Sequence, residues 1–99
     1  MAYKTRMHLD YPVRSGGSVS VTVTNSATAL TGTVRKAAII EPLDGNVRWR
    51  ADGTDPTATV GHLLEQGESI MIENPTTLRA LEMISVTGGD VTVFVSHLG

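Results

Sequence analysis

The sequence contains no cysteine, and its only aromatic residues are one tryptophan, two tyrosines and one phenylalanine among 99 residues. The absence of cysteine excludes disulfide bonds, thiolate metal ligands and cysteine nucleophiles. Because aromatic residues are so few, the core must consist mainly of aliphatic side chains. A small β domain with such a core is often only marginally stable, so we expect association with other chains.

Charged residues are also few, at 18% of the chain, and the net charge is −2. A balance this small indicates neither a nucleic-acid partner nor a membrane partner. The first ten residues contain no apolar run, so we expect no signal peptide, no membrane-spanning segment, and synthesis in the cytoplasm. A length of 99 residues with 40% hydrophobic residues predicts one globular domain.

The charges are unevenly distributed between the two halves of the sequence. Residues 1–50 carry seven basic and three acidic side chains, a balance of +4, whereas residues 51–99 carry one basic and seven acidic side chains, a balance of −6. In one interpretation, strands from the two halves interleave and pair their charges locally. Alternatively, the molecule has a basic side and an acidic side suited to head-to-tail contacts or a charged partner.

Period-2 alternation and turn-forming residues predict an all-β fold. Residues 18–24 alternate valine with serine or threonine, the pattern of a half-buried strand. Asp44 and Gly45 predict a hairpin turn, and residues 87–90 predict the turn of a second, closing hairpin. Further strands are predicted over these ranges: 33–41, 46–51, 62–64, 69–73, 81–86 and 91–95.

One short helical turn interrupts the strands. Asn74 can cap it, Pro75 suits its first position and Leu78 can return to the core. We therefore predict a small antiparallel β-sandwich or jelly-roll-like barrel over residues 18–99, with a helical turn near Pro75 and Leu78.

Residues 1–17 differ in character and predict an N-terminal arm. The segment mixes basic, aromatic and apolar residues, contains Pro12 and ends in Ser15, Gly16 and Gly17. In an assembly such an arm can lie on a neighbouring subunit; in a free monomer it can simply fray. The arm residues expected to bind a partner are Tyr3, Arg6, Met7, His8, Leu9 and Tyr11.

The residues that could carry chemistry do not form a recognisable motif. The three histidines, His8, His62 and His97, are scattered, and no Gly-x-Ser-x-Gly elbow is present. No metal-ligand spacing and no phosphate-binding loop appears, and Asp52 with Gly53 indicates an Asx turn. We therefore predict no catalytic, metal or cofactor site, and no enzyme activity.

Arg48 and Arg50 alternate with Trp49 on a predicted strand. Alternation directs the two arginines to one face and Trp49 to the core. We expect the arginines to pair with carboxylates across the sheet. They also form a secondary candidate patch for a protein partner.

The C-terminal half resembles small accessory structural proteins of tailed-bacteriophage virions. The resemblance rests on an ordered set, V-R-W-R-A-D-G-T-D-P-T-A over residues 47–58, then G-H-L-L at 61–64, Gly67 with Glu68, and Asn74 with Pro75. It implies a capsid decoration or cement protein, located in the virion, that binds the major capsid protein or another virion protein. It also implies a symmetric homo-oligomer, for which we expect a trimer.

Two other functions are open. The protein could be another head–tail or tail accessory protein of a phage. The Asp-Gly-x-x-Pro-Thr turn, here at residues 52–57, also resembles immunoglobulin-like modules of carbohydrate-active enzymes, which implies a carbohydrate- or surface-binding module. A buried Trp49 would count against sugar stacking, and an exposed one would favour it.

Overall fold

Alternating apolar residues along the chain produce eight strands and one helix within the residues that the structure describes. The structure is a computed structural model and describes residues 13–31, 34, 36–86 and 88–99. The elements are β1 (Val13–Val23), β2 (Thr28–Ala29), β3 (Ala37–Pro42), β4 (Val47–Arg50), β5 (His62–Leu64), β6 (Ile70–Ile72), α1 (Pro75–Ala80), β7 (Glu82–Ser85) and β8 (Val91–Leu98).

The strands form two four-stranded antiparallel sheets, ordered β1-β8-β3-β6 and β2-β7-β4-β5. Strand β1 pairs with β8, β2 with β7, β3 with β6 and β4 with β5. The chain is thus a long antiparallel hairpin, with β4 and β5 at its tip, rolled into two layers. This is the jelly-roll arrangement, and it confirms the predicted all-β sandwich.

Both predicted hairpin turns are wrong, because each joins strands of different sheets. Asp44 and Gly45 lead from β3 to β4, and the segment before Val91 leads from β7 to β8. At the first crossing, Asp44 Oδ1 accepts a hydrogen bond of 2.7 Å from the Thr92 N–H. The chain therefore turns against β8 instead of folding back along β3.

The first strand begins earlier than the alternation predicts, at Val13 and not at Ser18. The pairing register of β1 with β8 shifts between Val13 and Ser18, an irregularity that interrupts strict alternation. The C-terminal part of the predicted arm, residues 13–17, thus belongs to β1. Residues 1–12, and with them all six predicted arm contacts, lie outside the described residues.

The core between the sheets is aliphatic, as the composition predicts. Val23, Val47, Met83 and Val93 are fully buried at its centre, and Ile40 packs with them. Burial of apolar surface contributes about 25 cal/mol per Å², so this layer is the main source of stability.

The single predicted helical turn is confirmed. Asn74 Oδ1 accepts hydrogen bonds from the Thr76 and Thr77 N–H groups at 2.9 and 3.2 Å, and Pro75 opens the helix. Leu78 is buried against the core. Among the helices of the described residues, none is long and apolar enough to cross a membrane.

Candidate functional site

The loop between β4 and β5, residues 51–61, is held by Arg48. The Arg48 guanidinium donates from Nε to the Ala58 carbonyl at 3.1 Å and from Nη1 to the Gly61 carbonyl at 3.0 Å. A planar guanidinium suits this role because its donors lie in a rigid fork. Arg48 therefore acts as a structural brace. Its neighbours across the sheet are Leu63 and Ile84, so the predicted pairing with a carboxylate on an adjacent strand is wrong.

Arg50 binds a carboxylate, but within its own segment. It donates to Asp52 from Nε at 3.2 Å and from Nη2 at 2.5 Å. These hydrogen bonds lower the pKa of Asp52, and the Thr54 N–H adds to the effect; Asp52 in turn raises the pKa of Arg50. Because Asp52 follows Arg50 by two residues in the same segment, the cross-strand pairing predicted for Arg50 is also wrong.

The predicted Asx turn at Asp52 is confirmed. Asp52 Oδ1 accepts a hydrogen bond of 3.2 Å from the Thr54 N–H. Gly53 has a φ of +85°, a left-handed conformation that glycine adopts without steric cost. The same carboxylate thus joins the turn to Arg50.

Two carboxyl groups, those of Asp55 and Glu82, interact where the same loop meets β7. Glu82 is the register partner of Arg50 on the neighbouring strand, yet its carboxyl interacts with Asp55. Hydrogen bonding to Asp55 raises the pKa of Glu82, because two carboxyls can share a hydrogen bond only when one is protonated. Pro56, the next residue in the loop, is buried.

A cleft of about 480 Å³ opens where β4 leaves the sheet. Its lining comes from two segments, residues 49–52 and 60–62. The rings of Trp49 and His62 lie 4.6 Å apart between centroids, inclined at 39°. Trp49 is half-buried and packs on the core, as predicted. Part of its side chain also borders the cleft.

Among the described residues, the outer surface of the opposite sheet carries almost no charge; we call this surface the Phe94 face. Phe94, on β8, is 40% exposed and lies between Ser20 of β1 and Glu41 of β3. In the adjacent row, the Ser18 and Ser96 hydroxyls are 3.3 Å apart. The described members of the face are Ser18, Ser20, Thr22, Ile39, Glu41, Leu43, Met71, Thr92, Phe94 and Ser96.

Charge is depleted across the Phe94 face. Glu41 is the sole charged side chain among the members just named. Leu43 is 46% exposed and follows β3 beside Thr92, so it adjoins Phe94 diagonally. Depletion of charge around exposed aromatic and aliphatic side chains is typical of the centre of a protein–protein interface.

Arg48 and Arg50 extend from the outer side of β4, but each already binds groups within the chain. Their role as a partner-binding patch stays a prediction.

His97 is buried, with Nε2 at 2.9 Å from the Thr31 carbonyl. The described residues contain no group of three or more His, Cys, Asp or Glu side chains able to hold a metal.

Sequence reasoning missed both the Phe94 face and the cleft. Period-2 alternation places Phe94 and Ser20 on outer faces, but only the β1–β8 register brings them together. His62 likewise reaches Trp49 through the β4–β5 pairing. Pairing between strands that are separated in the sequence leaves no signal within either strand. Neither surface could therefore be predicted from the alternation of residues alone.

Comparison of the chain with protein families, curated proteins and solved structures found no match in any of the three.

Proposed function

We propose that this protein is a non-enzymatic structural component of a tailed-phage virion, a decoration or cement protein that binds and stabilises the assembled capsid. The resemblance of residues 47–75 to such accessory proteins motivates the proposal. The jelly-roll fold agrees with it, since this architecture recurs in viral capsid domains, although a fold alone does not define a function.

The observation that carries the proposal is the Phe94 face. Apolar side chains that are exposed together on a surface poor in charge are typical of a protein-binding site. Here Phe94 and Leu43 are 40% and 46% exposed, with half-buried Ile39 and Met71 beside them and short hydroxyl side chains around them. A protein surface such as the outside of the capsid shell can cover these side chains without leaving a buried charge unpaired, apart from Glu41.

The edge strand β1 extends this surface. Within the described residues β1 pairs on one side only, with β8, so its other side offers backbone N–H and C=O groups to a neighbouring strand. In the sequence, β1 follows residues 1–12, the part of the predicted arm that lies outside the described residues. In the proposal the Phe94 face, the β1 edge and the arm bind neighbouring subunits of the shell, and the copies associate as trimers.

Stabilisation follows from mass action. A protein that binds only the assembled shell lowers the free energy of that state by RT ln(1 + [L]/Kd), about 2.7 kcal/mol per site at a free concentration of 100 times Kd. Attachment at many equivalent sites therefore raises the resistance of the shell to disassembly.

Co-sedimentation of the purified protein with capsid shells lacking it tests the proposal. Phe94→Ser should weaken binding at least tenfold, because truncating a central interface aromatic costs about 1.4 kcal/mol or more. Leu63→Ser is the matched control: Leu63 is 45% exposed but lies on β5 of the other sheet, so its variant should bind like the wild type. Equal binding by both variants, or no binding by the wild type, would contradict the proposal.

Deletion of residues 2–12 tests the arm separately and leaves β1 intact. The truncated protein should fold and bind the shell more weakly than the full chain. Undiminished occupancy on the shell would remove the arm, with Tyr3, Arg6, Met7, His8, Leu9 and Tyr11, from the proposal.

A further inference from the structure

Strand β1 is the longest edge strand in the described part of the chain. It runs for 11 residues and, among the described strands, pairs with β8 alone; the other edge strands, β2, β5 and β6, have two or three residues each. Residues 15–23 of β1 contain neither a charged residue nor proline. Because proteins usually protect an exposed edge with such residues or with a short strand, the composition of β1 indicates that another strand covers it.

The core is incompletely covered on the same side of the sandwich. Val19 of β1 and Leu30, which follows β2, pack against the core but stay half-buried. The Ser85 N–H, on the strand next to β2, donates to the Thr24 carbonyl at the end of β1 at 2.9 Å. The edges of the two sheets therefore lie close together here, and apolar side chains from a strand added beside β1 would cover both half-buried residues.

The sequence of the predicted arm has the pattern of such a strand. Apolar and polar side chains alternate over residues 3–11, with Tyr3, Thr5, Met7, Leu9 and Tyr11 on one side and Lys4, Arg6, His8 and Asp10 on the other. This alternation is typical of a strand with one covered face. Nine extended residues span about 30 Å, more than the roughly 20 Å of residues 18–23 of β1.

The arm suits the β1 edge of a second copy better than the β1 edge of its own chain. One residue, Pro12, separates the alternating segment from β1, and Val13 already pairs with Leu98. A hairpin within one chain would therefore use residues 10–12 as its loop and place the rest of the arm mainly beside the irregular stretch between Val13 and Ser18. On a second copy the whole alternating segment is free to run along the regular part of β1.

We propose that residues 3–11 of one copy add as a strand to the β1 edge of the next copy, and that three such exchanges close the trimer. An interface between two different surfaces forms a closed ring when the rotation between copies permits it. The apolar side chains of the arm cover Val19 and Leu30, and its basic side chains lie beside Ser18 and Ser20 at the margin of the Phe94 face. The inference rests on the proposed function and specifies it, because it makes the subunit beside β1 a second copy of this chain.

Disulfide trapping tests the exchange, because the chain has no cysteine of its own. Ser20→Cys, on β1, is refolded together with a tagged chain that carries Lys4→Cys, Arg6→Cys or His8→Cys, and the mixture is oxidised. Residues opposite each other on adjacent strands have Cα atoms about 5 Å apart, within the limit of about 7 Å for a disulfide. At least one arm variant should form a mixed dimer with Ser20→Cys. The control is Met71→Cys on β6, at the other edge of the same sheet, which should form at least fivefold less.

Single-cysteine chains cross-link only between copies, so an arm that folds back on its own chain gives no mixed dimer, and that result overturns the inference. Light scattering is the second readout: the wild type should have three times the mass of one 10.5 kDa chain. Deletion of residues 2–12 should give a monomer, whereas Phe94→Ser should stay a trimer. A monomeric wild type, or a deletion variant that remains a trimer, also overturns the inference. Co-sedimentation of the wild type with the shell in either case would leave the proposed binding of the shell standing.

Discussion

Gly45 illustrates how a single residue determines the path of the chain. A Cβ built at this position would lie 2.7 Å from Val91 Cγ2, and Val91 is buried and branched at Cβ. Neither residue can move away easily in a densely packed interior. Glycine is therefore required here for close approach, at the point where the chain passes from one sheet to the other.

Gly45→Ala should lower the free energy of unfolding by about 1–3 kcal/mol, the usual cost of overpacking. Gly89→Ala is the matched control, because an added Cβ there meets no atom within 4 Å. Urea denaturation followed by circular dichroism measures both. A loss for Gly45→Ala no larger than that for Gly89→Ala would show that the turn can relax away from Val91.

Asp52 gives the loop a dependence on pH. Its pKa is lowered in the folded protein by Arg50 and Thr54, so its contribution to stability is present above the unfolded value of about 3.9 and is lost as pH falls through the folded value. Glu82 acts with the opposite sign: its raised pKa makes its contribution complete at low pH and lost as pH rises through the folded value.

Asp52→Asn should therefore reduce the loss of stability between neutral pH and about pH 3. Urea midpoints at the two pH values, for wild type and variant, measure the difference. The effect should be small, because the side chains are exposed and screened by solvent. Asp90→Asn, at another exposed aspartate, serves as the control, and an identical pH response of the two variants would contradict the role given to Arg50 and Asp52.

Strands and helices whose signals lie within a few residues could be predicted from the sequence. Turns whose conformation depends on residues far along the chain could not. Alternation predicted the strand that became β1, and the Asn74 cap with Pro75 predicted α1, because both signals lie within a few residues. Asp44 and Gly45 carry the sequence of a hairpin turn, yet their conformation depends on Thr92 and Val91, which lie far along the chain. Strand β2 lies between the predicted strands 18–24 and 33–41, where no strand was predicted, since two residues are too few to show a period.

In the candidate site, too, only the features set by neighbouring residues could be predicted from the sequence. The facing of Arg48 and Arg50 away from the core was predictable from alternation. Their partners were not, because residues 51–61 fold back and offer the carbonyls of Ala58 and Gly61 and the carboxylate of Asp52. Charged side chains that look free along a strand can thus be structural once the loop beside them is in place.

At the scale of the whole molecule, the pairing of β1 with β8 joins the two ends of the described chain. A rolled hairpin forms most of its contacts between residues far apart in sequence, so we expect slow folding for its size. Its dimensions are 34 × 28 × 20 Å. The outer faces of the two sheets point in opposite directions, so in the proposed function the Phe94 face meets the shell and the β2-β7-β4-β5 sheet faces away from it.

Cryo-electron microscopy of the phage particle tests the central claim most directly. We predict density for this jelly roll on the outer surface of the capsid, grouped as trimers, with the β1-β8-β3-β6 sheet toward the shell and Phe94 covered by capsid residues. Particles without this density, or density with the β2-β7-β4-β5 sheet against the shell and Phe94 exposed to solvent, would contradict it.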